Sequence, residues 1–242
     1  MLCAMLSPLF IAGVDLAWGE RNRDGLCLIE ANRCRAAVRA IGLTLGDDAL
    51  LAWLHTNTNT APVMVMVDAP IVCPNATGTR PVDRLTHKLF GRQHAGCHPA
   101  NSTKCPRPLR LAERLAAAGC EIGWDFRAAP RLVCEVYPHP AMLRLFGLDR
   151  IVKYKRGPVA NRRREFRRLQ ALFRKCLAEQ FRNLELNEEA AGLLSARWSK
   201  PVEDKLDAFF CALIGYHHYL HGPDGSEVLG DRETGFILLP GR

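Results

Sequence analysis

Leu9-Phe10-Ile11-Ala12-Gly13-Val14-Asp15 is an apolar run that ends on a carboxylate, and Val63-Met64-Val65-Met66-Val67-Asp68 repeats the pattern. Runs this continuously apolar read as strands buried on both faces, as in a parallel sheet covered by helices. A carboxylate directly after such a strand is costly in an apolar setting and calls for a cation or hydrogen-bond donors beside it. The spacing predicts buried strands over residues 9–18 and 62–72, with Asp15 and Asp68 at their functional ends.

Working outward, Gly25 to Ile29 and Cys34 to Ile41 read as two short strands joined by a turn at Ala31-Asn32-Arg33, which makes a meander with the first strand. Asp47 and Asp48 open an amphipathic helix through Leu50, Leu51, Trp53 and Leu54, with acids in the turn that the helix dipole favours. Residues 73–130 are rich in Pro, Gly, His and Arg and contain two helical pieces, Val82 to Phe90 and Leu109 to Ala118, each stopped by glycine. This stretch reads as a helical insertion between the fourth and fifth strands, lying over one end of the sheet. Leu132 to Tyr137 is the fifth strand, and a short helix follows at Ala141 to Phe146. Lys153 to Pro158 is a basic loop. Asn161 to Phe181 and Lys200 to Leu220 are long helices, the latter with Pro201 near its first turn. Gly235 to Leu239 offers one more strand. The order predicts a single α/β domain over residues 1–242, built on a mixed five-stranded sheet with helices on both faces. Ligands of open α/β sheets bind at the strand ends.

Hydrophobic residues make up 48% of the 242 positions and charged residues 24%, enough for a substantial core. Lys and Arg number 33 against 25 acids, a net charge of +8 that favours a polyanionic partner such as nucleic acid. Ten cysteines are scattered without CxxC pairs, too sparse for a disulfide scaffold and consistent with a reducing cytoplasm. The stretch Met1 to Val14 is apolar, but it lacks a basic start and runs into the first strand, so it does not read as an export signal. No run approaches the roughly 20 apolar residues that span a bilayer.

Asp204 and Asp207 are three residues apart and share one face of the last helix. The small residues Ala208, Cys211, Ala212 and Gly215 let that helix lie close against a sheet. Carboxylates from separate elements suit Mg²⁺ or Mn²⁺, hard ions that take oxygen ligands. A pair of such ions about 4 Å apart activates water and stabilises the leaving oxygen in phosphodiester cleavage. On this reading Asp15 and Asp68 hold one ion between them, and Asp204 or Asp207 completes a second. The plainer alternative is that Asp204 and Asp207 serve the helix dipole and Asp68-Ala69-Pro70 is a polar strand exit.

Ala12-Gly13-Val14-Asp15-Leu16-Ala17-Trp18, Val67-Asp68-Ala69-Pro70, Asn75-Ala76-Thr77-Gly78-Thr79-Arg80, Cys134-Glu135-Val136-Tyr137-Pro138-His139 and Glu203-Asp204-Lys205-Leu206-Asp207-Ala208 together resemble the motif series of domain-of-unknown-function family 429. The resemblance runs from residue 12 to the Gly235-Phe236-Ile237 tail. It implies an RNase H-like fold and a nuclease activity. More distantly the layout is similar to RuvC-type junction resolvases, which carry an Asp on the first strand, an acid on the fourth and two Asp residues three apart on the last helix. Asp15, Asp68, Asp204 and Asp207 take those places. The fourth-strand acid is usually Glu in the resolvases, so Asp68 has a shorter arm. Resolvases pair up, which adds a homodimer to the expectations. His94 and Asn101 belong to a loop whose His and Asn residues bond local backbone or, as the resemblance favours, line the substrate mouth, and Arg80 is a further candidate for substrate binding.

Glu135 reads either as a further catalytic acid or as half of a structural ion pair. His94, Cys97, His98 and Cys105 offer soft ligands, but their spacing matches no standard zinc motif. Lys153, Lys155 and Arg156 form a compact basic loop suited to phosphate contacts, with Tyr154 placed to stack on a base. Arg162, Arg163, Arg164, Arg167, Arg168, Arg174 and Lys175 ride the polar side of one helix, either as phosphate contacts or as a solvated face. His217, His218 and His221 suit the C-terminal dipole of the last helix. The leading expectation is a Mg²⁺- or Mn²⁺-dependent nuclease. A non-catalytic nucleic-acid-binding or adaptor protein on the same scaffold is the alternative. A phosphotransferase of the sugar-kinase and actin-like branch is weaker, since no glycine-rich phosphate loop follows Asp15.

Overall fold

The computed structural model describes residues 8–32 and 35–241. The apolar start Met1–Ser7, and Arg33 and Cys34 of the expected turn region, lie outside the described residues. Leu9–Asp15 (β1), Asp24–Ala31 (β2) and Ala36–Thr44 (β3) form the antiparallel meander, with Asp15 opposite Gly25 and Asp24 opposite Thr44. Asp47–Thr58 (α1) leads to Val63–Val67 (β4), which runs parallel to β1 with Val14 beside Val67. Pro81–Phe90 (α2), Pro106–Ala117 (α3) and the two-residue strand Glu121–Ile122 (β5) fill the segment before Arg131–Glu135 (β6). β6 runs parallel to β4, with Glu135 beside Val67. Pro138–Phe146 (α4), Val159–Gln180 (α5), Leu184–Glu185 (β7), Glu188–Leu193 (α6) and Lys200–His221 (α7) follow, and Ser226–Asp231 (β8) and Gly235–Pro240 (β9) close the chain.

The result is a mixed α/β fold with seven helices and a central, mostly parallel sheet in the order β5-β6-β4-β1-β2-β3-β7 among the described residues. The sheet has seven strands, not the five expected. Its two extra strands, β5 and β7, are each two residues long, too short for a period-two pattern to register. The tail strand expected over Gly235 to Leu239 forms as β9. β9 pairs with β8 in a separate antiparallel hairpin and, among the described residues, bridges at Leu238 to Val136, just past β6.

Alternation along the strands sorts residues between two layers. Ile11, Gly13 and Met66 face α7, since a Cβ built on Gly13 would lie 2.0 Å from the Ala208 carbonyl oxygen, and one on Gly215 would lie 2.7 Å from Ile11 Cγ2 and from Met66 Cγ. Gly25, opposite Asp15, is as tight, with its Cβ 2.0 Å from the Asp204 carbonyl oxygen. Two glycines therefore let the backbone of α7 lie directly on β1 and β2. The opposite face meets α1 and α3, where Val63 and Val65 share a hollow with Leu51, Leu54 and Leu115.

Candidate functional site

The register builds the site. β1 and β4 stay in step past the end of β4, where the Asp68 amide donates to the Val14 carbonyl at 2.9 Å. Asp15 and Asp68 are thus side-by-side neighbours on parallel strands, where the spacing is about 4.8 Å. By alternation both point to the α7 side, with Gly13 and Met66. Glu135 is level with Val67, not Asp68, so it points to the other side.

Helix α7 brings the third acid. Ser199 caps it by accepting from the Val202 amide at 3.4 Å, and Pro201 occupies its first turn. Asp207 is 0% exposed. Its Oδ1 accepts from the Tyr154 hydroxyl at 2.6 Å, and its Oδ2 lies 2.9 Å from Lys155 Nζ. That buried Oδ2 accepts no well-directed hydrogen bond. Lys155 Nζ also lies 3.9 Å from Asp15 Oδ1. One ammonium thus sits among Asp15, Asp68 and Asp207.

The electrostatics follow. Burial pushes the Asp15 carboxyl well above its ordinary range, Asp207, Asp68 and Asp204 push it further, and Lys155 opposes them. Asp68 rises to about 7, through burial first and the charges of Asp207 and Glu135 after it, with Lys155 again opposing. Burial disfavours the Lys155 ammonium, but Asp207, Tyr154, Asp15 and Asp68 outweigh that and hold its pKa well above the usual value. Like charges crowded in a poorly hydrated place favour protonation until a cation arrives.

Asp204, one turn before Asp207, is engaged elsewhere. Lys200 Nζ holds it at 2.6 Å and also holds Glu203 at 3.0 Å. Asp204 acts on the acid set through its field, felt at Asp15 and shared with Asp207, and burial first raises its own carboxyl against the opposing Lys200. Glu135 belongs to a different cluster. Arg80, 2% exposed, donates to Glu135 Oε1 at 2.7 Å and Oε2 at 2.8 Å, and to Asp83 Oδ1 at 2.8 Å. The Ile71 amide adds a hydrogen bond to Glu135 at 3.1 Å. Glu135 thus takes the structural ion-pair reading rather than the catalytic one, and Arg80, expected at the substrate mouth, is its partner in fastening α2 to the end of β6.

The remaining expected residues scatter. Lys153 and Arg156 are exposed, and Arg156 Nη2 donates to His98 Nε2 at 3.0 Å. His94 is exposed and ends a 3-10 turn in the left-handed region, at φ 63°. Asn101 is buried and structural, its amide donating to the Gly78 carbonyl at 2.9 Å. Tyr154 cannot stack on a base, because it is wholly buried with its hydroxyl on Asp207. On α5, Arg162 lies over the Trp198 ring at 4.6 Å and Arg164 pairs with Glu165, while Arg163 and Arg167 are exposed. His218 is structural, bonded to Ser226 Oγ at 2.9 Å and the Trp124 carbonyl at 2.8 Å. Among the described residues, no three His, Cys, Asp or Glu side chains stand ready to enclose a metal ion.

Trp18 and His139 were not singled out in the sequence, and His98 was singled out only as a soft-ligand candidate. Trp18 and His98 line a pocket of about 60 Å³ that also takes in Asp68, Glu135 and Tyr137. His139 accepts or donates at Nδ1 with the Tyr137 hydroxyl at 3.2 Å, and burial, reinforced by Lys155, lowers its pKa to about 4. All three lie in or beside the motifs quoted above, and that position was the signal available.

No helix among the described residues is long and apolar enough to cross a membrane. No curated protein and no solved structure matches the chain. A family model described as "Protein of unknown function (DUF429)" matches residues 13–224, which carry Asp15, Asp68, Lys155, Asp204 and Asp207. The chain belongs to the DUF429 family.

Proposed function

We propose that this chain is a Mg²⁺- or Mn²⁺-dependent nuclease on an RNase H-like scaffold, acting on nucleic acid in a reducing cytoplasm. The observation that carries the reading is the meeting of Asp15, Asp68 and Asp207, from two strands and a distant helix, around a single ammonium. One buried and two half-buried carboxylates converging from separate elements form the arrangement a hard divalent cation takes. Asp15 closes the first strand, Asp68 follows the fourth, and Asp207 lies on the last long helix, which supports the scaffold assignment.

The chemistry of the donors suits a hard divalent cation, with Lys155 now standing between carboxylates that do not yet enclose one. All three groups offer carboxylate oxygens, and the buried Asp207 Oδ2 lacks a directed partner. Lys155 stands where positive charge is needed, so its ammonium would have to give way to a bound cation. Asp15, Asp68 and Asp207 would hold the ion, which would supply activation of a water and stabilisation of the leaving oxygen. Tyr154 keeps Asp207 in one orientation. Lys155, once displaced, would be free to pair with a phosphate, and the exposed Arg156 extends the positive edge. Asp204, kept by Lys200, adds negative field from outside the ligand set.

The test is incubation with single-stranded, duplex, hybrid and branched nucleic acids in Mg²⁺ or Mn²⁺. Cleavage is expected and should be abolished in Asp15→Asn and Asp207→Asn. Cleavage unchanged in both variants would remove the assignment. The same Lys155 contact favours a second reading, in which the ammonium permanently neutralises the pocket and the chain only binds nucleic acid. That reading expects salt-dependent binding without metal-dependent turnover.

A further inference from the structure

Trp18 is 39% exposed, and among the described residues its ring has no aromatic or cationic partner. Its position is nevertheless fixed. The buried Arg107 donates to the carbonyls on either side of it, that of Ala17 and that of Gly19, the latter at 3.2 Å. Arg107 is itself clamped by Asp24, at 2.7 and 2.9 Å, and by Asp47 at 2.8 Å. A large ring is thus held out toward solvent by a buried ion-pair network three residues from Asp15.

Trp18 shares its pocket with Asp68 and His98. His98 is exposed and takes a hydrogen bond from Arg156 at 3.0 Å. A guanidinium has no acceptor, so His98 Nε2 accepts and its Nδ1 carries a proton free to donate. Neither Arg156 nor His98 has a carboxylate partner among the described residues. The pocket that reaches Asp68 therefore has at its lip a flat aromatic plate and His98, which Arg156 joins as an unneutralised cation. The pocket itself, about 60 Å³, is too small to take a base inward. A ligand must lie across the lip, with a flat group on Trp18 and an anion at Arg156.

We propose that Trp18 and the His98–Arg156 pair form a subsite for single-stranded nucleic acid, Trp18 stacking on an unpaired base and the pair holding the neighbouring phosphate. This rests on the nuclease reading for its choice of ligand and narrows the substrate class to strands with free bases, since a base inside a duplex presents no open face.

The experiment is fluorescence anisotropy with a labelled oligo-dT, an oligo-U and a duplex of equal length, in EDTA so that cleavage plays no part. Wild type should bind both single strands more tightly than the duplex. Trp18→Ala should weaken single-strand binding about five-fold to a hundred-fold, and Trp18→Phe should restore most of it. Arg156→Ala should lower the salt slope of binding by about one. Both side chains are exposed, so the variants should melt with the wild type. Unchanged binding in Trp18→Ala, equal affinity for single strand and duplex, or no binding by wild type at tens of micromolar would overturn the subsite. Single-strand binding without cleavage in a separate Mg²⁺ assay would retain the subsite and overturn only the nuclease reading.

Discussion

Gly13→Ala places a methyl where there is no room. The new Cβ would lie 2.0 Å from the Ala208 carbonyl oxygen, 2.3 Å from the Ala212 amide nitrogen and 2.9 Å from the Ala212 Cβ. Ordinary contact begins near 3.4 Å, so α7 must retreat by roughly 3.4 − 2.0 = 1.4 Å at the residue next to Asp207. The obstacles are backbone atoms of a helix seated on β1 and β2, so no side chain can rotate away. Overpacking of this kind costs about 1–3 kcal/mol, and the rigid obstacle puts Gly13→Ala at the upper end. For a chain of this length that is a fall of about 6–12 °C in Tm, at roughly 2–4 °C per kcal/mol. The site should suffer more than the fold, since a displacement of about 1 Å in catalytic geometry can cost roughly a hundred-fold in rate. Gly91→Ala is the control, because a Cβ there meets nothing within 4 Å. Thermal melting and a Mn²⁺-dependent cleavage assay on the two variants read both effects. A Gly13→Ala protein that melts within a degree of wild type would refute the direct seating of α7 on the sheet.

Arg80→Met strands Glu135 and Asp83 as buried charges and should cost about 3–5 kcal/mol by urea denaturation, with Glu135→Leu in the same chain recovering part of the loss. Tyr154→Phe removes a hydrogen bond to a buried carboxylate and should cost about 1.5–3 kcal/mol by the same measurement. The pH dependence has a definite sign. Burial pushes the Asp68 carboxyl from its ordinary 3.8 up to about 7, so between those values the folded chain holds more protons than the unfolded one. Metal-free stability should therefore fall as pH rises from about 4 to about 7, by no more than about 4 kcal/mol from this group. Denaturation at several pH values should show the fall, and Asp68→Asn should flatten it; a slope unchanged in that variant would contradict the assignment.

Much of this layout was legible because its carriers are long and strongly patterned. β1, β4 and α7 announce themselves by unbroken apolar runs and by carboxylates at their ends. What escaped was short or non-local. β5 and β7 have two residues each, so only the pairing partners β6 and β3 reveal them. Glu135 illustrates a subtler limit: period two shows that it shares a face with Tyr137, but only the register against Val67 decides which face that is. Lys155 read as a phosphate contact in a basic loop. Its place among Asp15, Asp68 and Asp207 depends on where residues 151–158 cross the end of the sheet, which no local pattern encodes. Trp18 was passed over because an exposed indole after a strand is unremarkable until Arg107 is seen to hold both its flanking carbonyls.

The most direct measurement is calorimetric titration of Mn²⁺ into the wild-type protein and into Asp15→Asn and Asp207→Asn. Saturable uptake is expected in the wild type, with a buffer-dependent heat as the raised carboxyls lose protons to the incoming cation, and that uptake should vanish in both variants. No uptake at millimolar Mn²⁺, or equal uptake in all three proteins, would contradict the claim that these acids form one cation site.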